Sequence, residues 1–79
     1  MEKNEIIEKA QAIVRQVIKN NSFEWEGALT AEEIDGWDSL SHMIIITELE
    51  NEFKIKFKLN ELNKLNNLDS LVTLIQSKL

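Results

Sequence analysis

The sequence contains no cysteine, which excludes disulfides and thiolate metal sites and gives no sign of an oxidising compartment. Glycine occurs only twice, too rarely for a phosphate-cradling loop of the Walker or dinucleotide type. The single histidine, His42, has no cysteine to join it as a ligand, and no motif of metal-ligand spacing appears, so no intrinsic metal is expected. Nowhere do about 18 apolar residues follow one another, the length a membrane span needs. The opening Met1-Glu2-Lys3-Asn4-Glu5 lacks the basic-then-apolar build of a signal peptide. These absences lead us to expect a cytoplasmic protein without a membrane span.

Positive charge is missing from the middle of the chain. Between Lys19 and Lys54 there is no Lys or Arg, while Glu24, Glu26, Glu32, Glu33, Asp35, Asp38, Glu48, Glu50 and Glu52 all fall there. The flanks carry all nine bases, and the whole chain has a formal charge of -5. Such a field disfavours sequence-independent binding to nucleic acid and steers basic partners. What the chain does have is an apolar fraction of 43% in 79 residues. That is enough for one small core, so a single domain over residues 1–79 is expected, most simply as a monomer. The initial methionine and the lack of a linker favour a chain that works alone.

Ile6, Ile7, Ala10, Ile13, Val14, Val17 and Ile18 recur at three- and four-residue spacing, which predicts a helix from about residue 3 to 19. Residues 20–37 hold both glycines and both tryptophans without a sustained period and read as a long connection. Within it, Thr30 and Glu33 have the spacing of a capping box. A second helix is expected from Asp38, whose carboxylate can accept from the free amides of the first turn, to about Phe53. Lys54 to Leu59 alternate polar and apolar but have no second strand to pair with, so they should form an extended connector that drops Ile55, Phe57 and Leu59 into the core. A short helix is expected over 60–65. Leu68, Leu71, Val72, Ile75 and Leu79 then restore helical spacing to the C-terminus, with Asn67 or Asp69 as the cap. The expected fold is all-α, a small four-helix bundle of three longer helices and one short one.

Around the second helix the apolar residues divide into two groups. Ile45, Ile46, Leu49 and Phe53 share one side and should be core, whereas Leu40, Met43 and Ile44 point to another, beside Thr47 and Asn51. A helix apolar over so much of its circumference is buried all round or presents a patch to something else. Full burial is hard to arrange in so small a domain, so Leu40, Met43 and Ile44, bordered by Glu48 and Glu50, are expected to face a partner. Ser39 and His42 stand three apart on this helix, but an activated nucleophile also needs an orienting group, oxyanion donors and a cleft, and the chain is not expected to be an enzyme. The hydroxyl of Ser39 should lie exposed at the positive end of a helix, where a phosphate ester would be well placed.

From Gly36-Trp37-Asp38-Ser39-Leu40 through Leu49-Glu50-Asn51-Glu52-Phe53, the sequence resembles the acyl carrier protein family, and the order of helices extends the resemblance over essentially the whole chain. The resemblance implies that Ser39 receives 4'-phosphopantetheine from coenzyme A through a separate phosphopantetheinyl transferase, and that the distal thiol of the arm carries acyl or aminoacyl groups as thioesters. The reactive sulfur absent from the sequence would thus be imported. Asp38 matches the motif acid that supports the transfer. Leu40 and Met43 match apolar docking positions, and Glu50 and Glu52 fit the acidic end of the family's recognition helix; together with Ile44, Thr47 and Glu48, read from helical spacing, they form the face expected to meet acyl-loading and acyl-accepting enzymes with basic patches. Carriers of fatty-acid synthesis usually have acids where this chain has Ser41 and Ile44, and a small residue where it has Trp37. These departures point to a specialised lipid, polyketide or related pathway. The competing expectation is a small acidic helical adaptor, or a degenerate carrier that is never loaded.

Overall fold

The computed structural model describes residues 2–63 and 65–79. Its elements are α1 (Lys3–Ile18), a single 3-10 turn (Ala31–Glu33), α2 (Ser39–Phe53), α3 (Leu59–Leu62) and α4 (Leu68–Lys78). Both α2 and α4 pack on α1. The predicted stripe of α1 is the reason: Ile6, Ala10 and Val14 are fully buried, and Ile7, Ile13, Val17 and Ile18 pack at its margins. Opposite them lie Ile45, Ile46, Leu49 and Phe53 of α2 and Leu68, Leu71, Val72 and Ile75 of α4, all buried. The division of α2 read from the sequence therefore holds in the structure, with Leu40 72%, Met43 57% and Ile44 43% exposed.

The long connection between α1 and α2 is fixed by polar contacts that have no period. Arg15 Nε donates to the carbonyl of Phe23, and the amide of Trp25 donates to Gln11 Oε1, both at 2.6 Å. These bonds hold the loop against α1 and let Phe23 and Ile34 enter the core. At the other end, the Leu68 amide donates to the Leu29 carbonyl and the Asp69 amide to the Gly27 carbonyl, each at 3.0 Å. A helix start leaves its first amides without partners inside the helix, and here the loop supplies two of the acceptors. The expected contact of Thr30 with Glu33 is present, the Thr30 amide donating to Glu33 Oε1 at 3.1 Å. Asn67, the first of the two expected caps, accepts from the Ser70 amide at 2.9 Å and starts α4.

Three expectations need correction. Ile55 is buried and Phe57 half-buried, but Leu59 is 76% exposed, because α3 begins at that residue and the extended alternation stops before it. The short helix spans Leu59–Leu62 rather than 60–65, and Lys64 of that expected span lies outside the described residues. Leu79, expected to continue the stripe of α4, follows the helix's last residue and is half exposed.

Both α1 and α2 end on a lysine in the left-handed region, Lys19 and Lys54, each with φ 57°. This conformation closes a helix by turning the next amides back onto its last carbonyls, and glycine adopts it most readily. Replacing Lys54 with Gly is therefore expected to raise the stability to urea, by about 0.5–1 kcal/mol. A loss of stability would show that the lysine side chain contributes more than its backbone strain costs.

Candidate functional site

The start of α2 is built by Asp38 and Ser41. Asp38 Oδ1 accepts from the Ser41 amide at 2.8 Å, and the Asp38 amide donates to Ser41 Oγ at 2.7 Å. This is the reciprocal arrangement of a capping box, with a serine at the third helical position in place of the usual Glu or Gln. Ser41 Oγ in turn lies 2.8 Å from the carbonyl of Gly36, to which it donates. Gly36 has φ +90°, a conformation that suits glycine, and a Cβ there would sit 3.1 Å from Ile18 Cβ. The loop thus turns sharply over the end of α1 and delivers residues 38 and 39 to the surface.

The two serines of the motif consequently have opposite environments. Ser41 is buried at 8% exposure, and its hydroxyl is engaged with Asp38 and Gly36. Ser39 is exposed at the first residue of α2, where the helix presents unpaired amides and partial positive charge. Beside it lies a shallow depression bounded by Ala31, Glu32, Trp37, Asp38, His42 and Met43. The helix start is also an electrostatic site: the Ser41 amide, then its hydroxyl, hold the Asp38 carboxyl below its ordinary value of 3.8. A carboxyl whose pKa is lower in the folded chain than in the unfolded one stabilises the fold above its unfolded value, and that contribution disappears as pH falls through the folded one. Asp38→Ala is therefore expected to be less stable than the wild type at neutral pH. In urea titrations at falling pH the gap should narrow below about pH 4; a constant gap would exclude this origin.

The remaining residues of the expected docking face are all on α2. Thr47 and Glu48 are exposed, and Thr47 Oγ1 donates to the Met43 carbonyl at 2.9 Å. Glu50 has a task that the sequence pattern did not show: it is half-buried, and its Oε2 accepts from the amide of Phe57 at 2.8 Å, which braces the connector after α2. The pairing of Trp37 with His42 was also missed. Trp37 Nε1 donates to His42 Nδ1 at 3.1 Å, and a five-residue spacing across a helix start gives no periodic signal. The role of Ser41 had one: Asp38 and Ser41 have the same spacing as Thr30 and Glu33.

Residues 31–75 match the family model described as a phosphopantetheine attachment site. The solution structure of a holo acyl carrier protein from Geobacter metallireducens superposes with a TM-score of 0.86 at 42% identity, covering 92% of this chain and 84% of that one. The chain belongs to the acyl carrier protein family. Carriers of this family are not themselves catalysts. They bear a 4'-phosphopantetheine prosthetic group and are served by phosphopantetheinyl transferases and acyl-processing enzymes. No curated protein matches the chain. The fold of the carrier agrees with these findings: among the described residues its regular elements are all helical, three long helices and one short, beside the single 3-10 turn. Among the described residues, no helix is long and apolar enough to cross a membrane, and no group of three or more His, Cys, Asp or Glu side chains could hold a metal ion.

The residues at the start of α2 suit such a prosthetic group. The exposed hydroxyl of Ser39 is set apart from the capping network that occupies Ser41. Attachment there would leave the helix start intact, and the amides of the first turn favour a phosphodiester.

Proposed function

We propose that residues 1–79 form one carrier domain that bears its 4'-phosphopantetheine on Ser39 and presents cargo to its partners with the exposed side of α2. The observation that carries this reading is the exposed Ser39 hydroxyl at the first residue of α2, within the matched segment. Bound there, the arm supplies a thiol on which acyl or aminoacyl groups travel as thioesters. Asp38 fixes the helix start and adds negative charge next to the acceptor hydroxyl, where a transferase brings magnesium and coenzyme A. Leu40, Met43 and Ile44 provide apolar contact, and Thr47, Glu48 and Glu50 a polar, acidic margin suited to basic partner surfaces.

The departures from fatty-acid carriers support a specialised lipid, polyketide or related pathway. Ser41 takes the place of a family acid yet is buried in the cap, so its loss of charge is structurally compensated. Ile44 takes the place of the other and is 43% exposed, so it alters the surface that partners read. Incubation with coenzyme A, magnesium and a broad-specificity transferase should add one phosphopantetheine to the carrier, seen in its intact mass. An unmodified mass under conditions that load a known carrier would instead favour an adaptor without a prosthetic group.

A further inference from the structure

The positive charge missing from the middle of the chain returns where α2 ends. In the extended connector Ile55 and Phe57 turn inward, and Lys54, Lys56 and Lys58, which alternate with them, are exposed. Among the described residues none of the three is in an ion pair. The nearest acids in sequence are already engaged. Glu50 Oε2 accepts from the Phe57 amide, Glu52 pairs with Lys9 at 3.2 Å, and Glu61 pairs with Lys78 at 2.9 Å. Because Glu52 faces α1 and Glu50 faces the connector, α2 stands between the three lysines and the acids Glu5 and Glu8 of α1. A helix with its side chains is about 10 Å thick, no less than the reach of a charge at physiological salt, about 8 Å. The acids of the long loop are further off. That loop is tied to the starts of α2 and α4, whereas Lys54 lies at the other end of α2, about 22 Å from Ser39 by helical rise.

Exposed apolar side chains show the same division. Leu40, Met43 and Ile44 belong to the face of α2 already described, and Leu59 and Leu79 stand apart from it. Leu59 directly follows Lys58 and is the most exposed of the five, and the Lys78–Glu61 pair ties the end of α4, with Leu79, to α3. The bases beside Leu59 are all lysine, a flexible point charge without the planar fork by which arginine matches a single carboxylate. Lysines around an exposed leucine suit a diffuse anionic plane that pairs with the ammonium groups and admits the apolar side chain between them. We propose that Lys54, Lys56, Lys58 and Leu59 bind the surface of an anionic lipid bilayer. The contact is peripheral and reversible, since three lysines and one leucine give only modest attraction. It lies at the end of α2 remote from Ser39, so the carrier rests on a membrane with that serine and the face of Leu40 and Met43 still free. The proposal goes beyond the reading of Ser39 and holds for the unloaded chain.

The test is co-sedimentation of the full, unloaded chain with unilamellar vesicles at about 0.1 M salt, with lipid in the millimolar range. Vesicles of phosphatidylcholine containing about one third phosphatidylserine should bind it, and phosphatidylcholine alone should not. Binding should be lost at about 0.5 M salt. Lys54→Gln, Lys56→Gln and Lys58→Gln combined should weaken it about a hundredfold, and Leu59→Ser about fivefold. Lys3→Gln, Lys9→Gln and Lys19→Gln combined change the net charge equally and should cost less than about threefold, because screening confines the effect to charges at the contact. If the connector variant fails to fold, Lys56→Gln alone takes its place, with an expected loss of about fivefold. No binding to the anionic vesicles, equal binding to both lipids, or equal loss from the two sets of lysines would overturn the membrane contact. Capture by soluble polyglutamate without binding to vesicles would assign the lysines to an acidic protein and overturn it as well. Failure of loading at Ser39, read separately by mass, would strike the attachment site and leave the vesicle result untouched.

Discussion

Ser39→Ala is expected to fold as the wild type does and to accept no phosphopantetheine at all. The side chain is exposed and stands outside the bonds that cap α2, so its removal should change stability by no more than about 0.5 kcal/mol. Ser41→Ala should behave in the opposite way. Its hydroxyl accepts from the Asp38 amide and donates to the Gly36 carbonyl, and losing both contacts at a buried position should cost about 1–3 kcal/mol. The Ser41 variant should still be loaded, because the reacting hydroxyl is two residues away. Intact mass after incubation with the transferase, together with urea denaturation, gives both readings from the same samples. A loaded Ser39→Ala would remove the attachment assignment. A Ser41→Ala variant as stable as the wild type would show that the cap does not depend on its hydroxyl.

Leu49→Ala is the second large effect, an expected loss of about 2–5 kcal/mol. Leu49 is fully buried in the core shared with α1 and α4, so truncation removes apolar contact and leaves a space its neighbours fill only in part. Domains of this kind hold about 5–15 kcal/mol in total, so the variant should lie near the edge of folding. Met43, six residues earlier on the same helix and 57% exposed, should tolerate Ala with a change of about 0.5 kcal/mol or less. Its loss should appear in binding to partner enzymes, where a truncated apolar contact commonly weakens affinity. Equal destabilisation at the two positions, measured by urea denaturation, would mean that the two sides of α2 are not distinguished as described.

Much of the architecture was readable because it rests on periodicity. The stripe from Ile6 to Ile18 and the separation of Leu49 from Met43 follow from helical geometry alone, and the capping residues Asp38 and Asn67 declare themselves by chemistry and position. The connections obey no period, and there the reading fell short. Leu59 continues an alternation that the chain abandons when α3 begins, and the bond of Glu50 to the Phe57 amide depends on where the connector folds back. The anchoring of the long loop by Arg15 and Gln11 joins residues 8 and 14 apart in sequence, contacts that only the packed structure brings about. At the site itself, the exposed serine was legible from the motif. That Ser41 rather than Ser39 closes the cap was signalled only by its three-residue spacing from Asp38, and the side-chain geometry supplies the bonds themselves.

Ser41 stands where, on the resemblance drawn from the sequence, carriers of fatty-acid synthesis usually have an acid. A hydroxyl at position 41 completes the cap without adding charge, and Asp38 then remains the one acid bonded into the first turn of α2. If α2 is the docking face proposed above, the exposed Ile44 beside Met43 moves recognition further toward apolar contact. Partner choice is set as much by what a surface rejects as by what it attracts, so a carrier of this kind should be served poorly by enzymes that depend on acids along the whole of α2.

The function proposed for α2 depends above all on which atom receives the arm. Fragmentation mass spectrometry of the loaded wild-type carrier locates the added group on a single residue. The expected result is one phosphopantetheine, on Ser39, with Ser22, Ser41, Ser70 and Ser77 unmodified. A group found on any other residue, or none on a folded chain exposed to an active transferase, would contradict it.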